Sequence, residues 1–172
     1  MGKASHLTRR FFTSLSPHGP CAAEEQWVRE QLTDAEQDLW RQMRGPDRRH
    51  AVGVAHRVEV ALGPDATRPV LAAALLHDVG KIDSDLGVYG RVVATLSAAV
   101  AGPDAAYDWV RTNGFTRRVG LYLLHPKIGG DRLGIAGSDP FTEAWTREHH
   151  LPEDQWTVDV RLGRVLKEAD DD

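Results

Sequence analysis

Seven residues of this sequence have the types and the settings from which a metal centre is built: His50, His77, Asp78, His125, His149, His150 and Asp170. The most informative are His77 and Asp78, which close the run Val70-Leu71-Ala72-Ala73-Ala74-Leu75-Leu76. A helix that is apolar on every face is normally buried on all sides. An imidazole and a carboxylate at its end are costly there unless each gains a partner. A metal ion is such a partner, because neutral imidazole and ionised carboxylate are both good ligands. Successive residues on a helix diverge by about 100°, so the two side chains need not serve one ion alike, and Asp78 could bridge two. Lys81 follows His77 by four residues and shares its face if the helix continues. It would then set a cation beside the metals, suited to an anionic substrate oxygen, while Gly80 would let backbone come close.

By itself the His77-Asp78 dipeptide is equally well a salt-bridged helix end. It does not stand by itself. His50 opens an amphipathic helix within Asp47-Arg48-Arg49-His50-Ala51-Val52. His125 sits at a Leu123-Leu124-His125-Pro126 junction, His149 and His150 end a helix, and Asp170 follows Leu166-Lys167-Glu168-Ala169. Each signal alone fits a capping or packed residue; together they supply enough donors for two ions. His56 competes with His50, but the six positions between them turn a helix through about 600°, onto different faces.

The order His50, His77-Asp78, Asp170 resembles the HD-domain superfamily of metal-dependent phosphohydrolases, and Leu75-Leu76-His77-Asp78-Val79-Gly80-Lys81 is similar to its most recognisable segment. The resemblance runs from about Asp47 to Asp170 and favours His50 over His56, through Arg49-His50-Ala51-Val52 and Val54-Ala55. His125 and the His149-His150 pair resemble the branches that hold two metals. The resemblance implies an all-α helical bundle over residues 47–172 and leaves residues 1–46, which read as a short helical extension, unexplained. It implies two divalent transition-metal ions, iron or manganese, held by His50, His77, Asp78, His125, His149, His150 and Asp170. Asp78 would bridge them, and Lys81 would stabilise charge on a phosphoryl group, so Asp78 and Lys81 are the expected catalytic residues. One of His149 and His150 would ligate and the other contact substrate. The substrate class would be a phosphorylated small molecule, nucleotide-like or otherwise. Two departures separate the chain from the HD-GYP cyclic-dinucleotide branch: Leu151-Pro152-Glu153-Asp154-Gln155-Trp156 replaces its Gly-Tyr-Pro segment, and Pro46 stands where it carries Glu. The same ligand set resembles HD-domain proteins that use a mixed-valent di-iron centre for oxygenation. A nucleotide-binding regulatory domain without turnover is the remaining alternative.

Positioning these residues falls to helices. No run of alternating β-branched residues exists, while Ala, Leu, Arg and Glu recur at helical spacing. Thr33-Asp34-Ala35-Glu36 is a capping box that predicts a helix through Met43. Gly45-Pro46-Asp47 restarts the chain into a helix over 47–62, and Gly63-Pro64 ends it. The apolar helix begins near Thr67. Further helices are expected over 91–101, 104–112 and 116–124, after His125-Pro126 and Asp139-Pro140, and over 157–169. Ser16-Pro17-His18-Gly19-Pro20 reads as a loop, and His6, His18 and His56 fit no ligand pattern.

Composition bounds the rest. The chain has 172 residues, 41% hydrophobic and 27% charged, with eight histidines, one cysteine and a net charge of -4. That length suits one core, and the lone Cys21 excludes an internal disulfide or a multi-cysteine metal site. A mildly acidic chain is poorly suited to nucleic-acid duplexes. No apolar run reaches the ~18 residues of a membrane span. Arg9-Arg10 precede no signal-peptide core, and His6 spoils a myristoylation motif, so a cytoplasmic protein is expected. Gly80-Lys81-Ile82 lacks the Ser or Thr of a phosphate-binding loop. Arg48-Arg49 and Arg117-Arg118 read as solvated faces, and the five tryptophans as packing residues.

Overall fold

The capping box at Thr33 forms as the sequence requires: the Glu36 N–H donates to Thr33 Oγ1 at 3.3 Å and the Thr33 N–H to Glu36 Oε2 at 2.8 Å. This is the pattern of the whole chain, whose computed structural model describes residues 18–101 and 105–171. Among the described residues there are ten α-helices and no strand. They are α1 (Ala22–Gln31), α2 (Asp34–Gln42), α3 (Gly45–Leu62), α4 (Arg68–Leu76), α5 (Val88–Ala101), α6 (Ala105–Trp109), α7 (Gly114–Leu123), α8 (His125–Ala136), α9 (Pro140–Glu148) and α10 (Val160–Asp171). The protein is all-α, as expected. His6, Arg9-Arg10, Ser16-Pro17 and the expected start of a helix at Asp104 lie outside the described residues.

Prolines and caps set the helix starts. Pro46, Pro69, Pro126 and Pro140 each lie in a first turn, where a missing N–H costs nothing. Asp139 accepts from the Phe141 N–H at 2.8 Å, holding the start of α9. The cap of α8 is Leu124 rather than His125, so His125 is already helical.

Helix α4 is the axis. Val70 through Leu76 are all buried, and α1, α3 and α9 pack around it. Each buried Val or Leu contributes about 1.5–3 kcal/mol of transfer free energy. Val28, Leu32, Leu39, Trp40 and Met43 belong to the same core, so residues 28–43 pack together with the histidine-bearing helices. A smaller cluster of Leu86, Ala94 and Val119, flanked by Trp109, Tyr122 and Leu123, joins α5, α6 and α7. Trp40 and Trp145 are buried, and Trp27, Trp109 and Trp156 pack against the two clusters. None of the described helices is long and apolar enough to cross a membrane.

One sequence expectation fails here. Helix α4 does not continue past His77: Asp78 has φ -99° and ψ 8°, and residues Val79–Ser84 form a 3₁₀ turn. Lys81 therefore does not share a helical face with His77. The turn after the break packs its backbone against α8. A Cβ on Gly80 would collide with the His125 carbonyl oxygen and lie 2.6 Å from the Gly129 nitrogen. A Cβ on Gly129 would in turn lie 2.9 Å from the Thr146 methyl of α9. Two glycines thus let the turn, α8 and α9 meet backbone to backbone. Gly80→Ala is expected to destabilise the fold by about 3 kcal/mol, at the upper end of overpacking effects. Urea unfolding measures this, and a loss under about 1 kcal/mol would show that the turn stands off α8 more freely.

Candidate metal centre

The break after α4 brings two neighbouring side chains to one centre. In an unbroken helix His77 and Asp78 would diverge by about 100°. As built, His77 Nε2 lies 3.6 Å from Asp78 Oδ2, and both residues are buried. His125, in the first turn of α8, brings Nε2 to 3.3 Å from Asp78 Oδ1. His149, just past α9, brings Nε2 to 3.8 Å from the same oxygen. From the other side Asp170 of α10 sets Oδ1 3.6 Å from His77 Nε2 and accepts from His50 Nε2–H at 2.8 Å.

The far nitrogens of three rings are fixed by one local device. The Nδ1–H groups of His77, His125 and His149 donate to the carbonyls of Ala74 (2.9 Å), Tyr122 (2.6 Å) and Thr146 (3.0 Å), each three residues earlier. These are last-turn carbonyls of α4, α7 and α9, where a helix end leaves acceptor capacity unused; that of Tyr122 also accepts from the Leu124 N–H. With Nδ1 as donor, neutral His125 and His149 present an Nε2 lone pair to the centre, and His77 does so once its second proton is lost. All three Nε2 atoms are buried without a hydrogen-bond partner. Leaving a buried polar atom unpaired costs about 1–3 kcal/mol, and three in one place call for a common ligand.

Two donor sets result, and they share Asp78. His50, His77 and Asp78 bring ligand atoms within 4.8 Å of one another, as do Asp78, His125, His149 and His150. The cluster could hold metal ions, and the donor chemistry fits divalent transition metals. His149 and His150 fall in the same set; His149 is buried and His150 is exposed, with their ring centroids 4.0 Å apart. Asp170 joins the first set through its contacts with His50 and His77. Its helix is tied down by the Arg57 Nε–H, which donates to the Ala169 carbonyl at 2.8 Å, and by buried Leu166.

Charge follows the same division. Burial opposes a charged His77, yet Asp78 and Asp170 outweigh it and raise the imidazole to about 9. Burial lowers His125 to about 4 and His150 to about 3, and it lowers His149 as well. Burial would raise Asp78, but the positive charges of Lys81 and His77 hold it well below the usual carboxylate range. Asp170 is also held well below that range: burial acts against it, while His50 and His77 prevail.

Lys81 reaches this centre differently from the sequence expectation. The 3₁₀ turn folds it back so that Nζ–H donates to Asp78 Oδ2. His56 lies elsewhere, with its ring centroid 4.3 Å from that of Trp27, and His18 offers its carbonyl to Arg49. The Arg48-Arg49 and Arg117-Arg118 pairs are not simply solvated: Arg48 pairs with Glu25 at 2.9 Å, and Arg118 Nε–H donates to the Ser84 carbonyl at 3.0 Å.

Sequence reasoning missed Asp47, Arg91 and Tyr122. Arg91 of α5 donates to both oxygens of buried Asp47, at 2.5 and 2.6 Å, and lies over the Tyr122 ring with its Cζ 5.9 Å from the centroid. Lys81 Nζ lies 5.8 Å from the same centroid. Asp47 precedes His50 by one helical turn, a spacing that could have marked it; nothing in the sequence joins Arg91 to it. Comparisons of the chain with protein-family models, curated proteins and solved structures give no match.

The opposed histidine shifts predict how stability of the chelator-treated protein depends on pH. His77, raised above 6.5, contributes stability that is present below pH 6.5 and is lost as pH rises through about 9. His125 and His150, lowered, contribute stability present above pH 6.5 and lost as pH falls toward about 4 and 3. Thermal unfolding should therefore peak between these limbs. Added Mn²⁺ should lift the alkaline limb, because an ion replaces the proton between Asp78 and Asp170. An alkaline limb that Mn²⁺ leaves untouched would count against the cluster as a metal centre.

Proposed function

We propose that this chain is a member of the HD-domain superfamily and a metal-dependent phosphohydrolase, cleaving a phosphate ester or anhydride of a small molecule at a two-metal centre. The observation that carries this reading is the sharing of Asp78 between two donor sets, with three buried Nε2 atoms aimed at it. His50, His77, Asp78 and Asp170 would hold one ion, and Asp78, His125, His149 and His150 the other. Iron or manganese suits these mixed imidazole and carboxylate sets. When bound, the pair of ions supplies a water of lowered pKa and polarises a phosphoryl oxygen.

The chain's own residues account for the rest. Asp78 keeps its ionised form inside the protein because positive and donor groups surround it. The three carbonyl clamps hold His77, His125 and His149 in one tautomer, so the donors need no reorganisation. Lys81 offers a cation to a phosphoryl oxygen, where charge grows during transfer. Arg91 stays committed to Asp47 beside the Tyr122 ring. His150, the exposed member of the ligand set, would be the one to contact substrate. Water attacks phosphorus, the P–O bond to the leaving group breaks, and the leaving oxygen takes up a proton.

Screening the Mn²⁺- and Fe²⁺-loaded protein against phosphomonoesters, phosphodiesters and nucleoside polyphosphates should reveal phosphate or phosphoester release without consumption of oxygen. Asp78→Asn is expected to lower that rate by at least about 100-fold, with helicity retained by circular dichroism. Oxygen uptake in place of phosphoryl release would assign the centre to oxygenation. Unchanged turnover in Asp78→Asn would remove the shared carboxylate from the mechanism.

A further inference from the structure

The two oxygens of Asp78 are not equivalent. Oδ1 faces His125 Nε2 at 3.3 Å and His149 Nε2 at 3.8 Å. Oδ2 faces His77 Nε2 at 3.6 Å and accepts from Lys81 Nζ–H. Each oxygen therefore serves one donor set, and the ammonium stands on the oxygen that serves the His50–His77 set. A carboxylate oxygen can serve a metal ion and an ammonium together only at the cost of bringing like charges close.

The same ammonium already stands beside an aromatic face. Its Nζ is 5.8 Å from the Tyr122 ring centroid, within reach of a cation–π contact. The other cation beside that ring, Arg91, is held by both oxygens of Asp47 and does not reach for Asp78 in its place. The side chain is long and flexible, and its backbone is fixed: the Lys81 N–H donates to the Asp78 carbonyl at 3.0 Å, and Ser84 Oγ–H to the Lys81 carbonyl at 2.8 Å. Only the ammonium needs to move.

We propose that Lys81 is a tethered counter-ion of the His50–His77–Asp78 set, displaced from Asp78 Oδ2 by the metal ion that enters there and turned toward Tyr122 and the arriving phosphoryl group. This rests on the two-metal reading above. It makes the substrate-binding cation a consequence of metal loading. Before loading, Lys81 is neutralised by Asp78; after loading, its charge is available to an anion. By linkage, a group that must be displaced weakens the binding of what displaces it.

The test is Mn²⁺ titration of the full chain by calorimetry, with Lys81→Met and Lys81→Arg beside the wild type. The Met variant, which keeps length and removes charge, should bind the ion that uses Oδ2 about tenfold tighter, within the range of coupled binding events. The Arg variant should stay within about threefold of the wild type, since its charge still competes. In the wild type, acetylation of Lys81 read by peptide mass spectrometry should rise when Mn²⁺ is added. If Lys81→Met does not fold, this labelling decides alone: a rise supports displacement and an unchanged rate overturns it. Equal Mn²⁺ affinity in wild type and Lys81→Met, with unchanged labelling, overturns the displacement and leaves the metal centre standing. Failure of Mn²⁺ to bind the wild type overturns both.

Discussion

Three imidazoles buried beside a carboxylate are tolerable only if each ring has a settled proton. Here that proton sits on Nδ1 and points at a carbonyl of the helix that has just ended. Ala74, Tyr122 and Thr146 supply those carbonyls to His77, His125 and His149. The interaction serves both partners: a helix end fills unused acceptor capacity, and a ring loses its freedom to change tautomer. The positions of α4, α7 and α9 become the positions of three Nε2 atoms. Repacking any of these helices would move a donor.

The surrounding fold serves that arrangement at short range. Gly80 and Gly129 remove the side chains that would keep the 3₁₀ turn, α8 and α9 apart. Arg57 secures the Ala169 carbonyl, and so the helix that carries Asp170. Thr157 donates its N–H and Oγ–H to buried Glu148, at 2.7 and 2.6 Å, bracing the residue before His149. The Asp47–Arg91 pair spans from the start of α3 to α5. Breaking one partner of such a half-buried pair leaves an uncompensated charge inside, so these braces are as demanding as the centre itself.

Much of this was legible in the sequence, for identifiable reasons. The unbroken apolar run at 70–76 could only be a buried axis, and Thr33, Asp139 and the first-turn prolines mark helix starts through chemistry that is local. The candidate ligands were legible as types in suggestive settings, and the structure brings His50, His77, Asp78, His125, His149, His150 and Asp170 together. What escaped was tertiary. The turn that follows α4 packs through Gly80 against the His125 carbonyl 45 positions away, and periodicity carries no record of such a meeting. Arg91 and Tyr122 likewise read as ordinary helical residues until α3, α5 and α7 converge. The Arg48 and Arg118 contacts were hidden because a charged pair looks the same whether it is solvated or spent on a neighbouring carbonyl.

The carbonyl clamps carry a consequence for the electrical character of the centre. Helix α4 ends at Leu76 and α9 at Glu148, so both direct their C-terminal ends at Asp78, and α7 closes two residues before His125. Helix C-termini carry partial negative charge within about a turn; α8, beginning at His125, opposes them. With Asp78 and Asp170 ionised as well, negative charge gathers at the middle of the fold, and Lys81 and His77 stand against it as the matching positive charge. The histidines that cap those helix ends and the cations beside the carboxylates are thus two halves of one balance: removing either would leave the other as uncompensated charge in the interior.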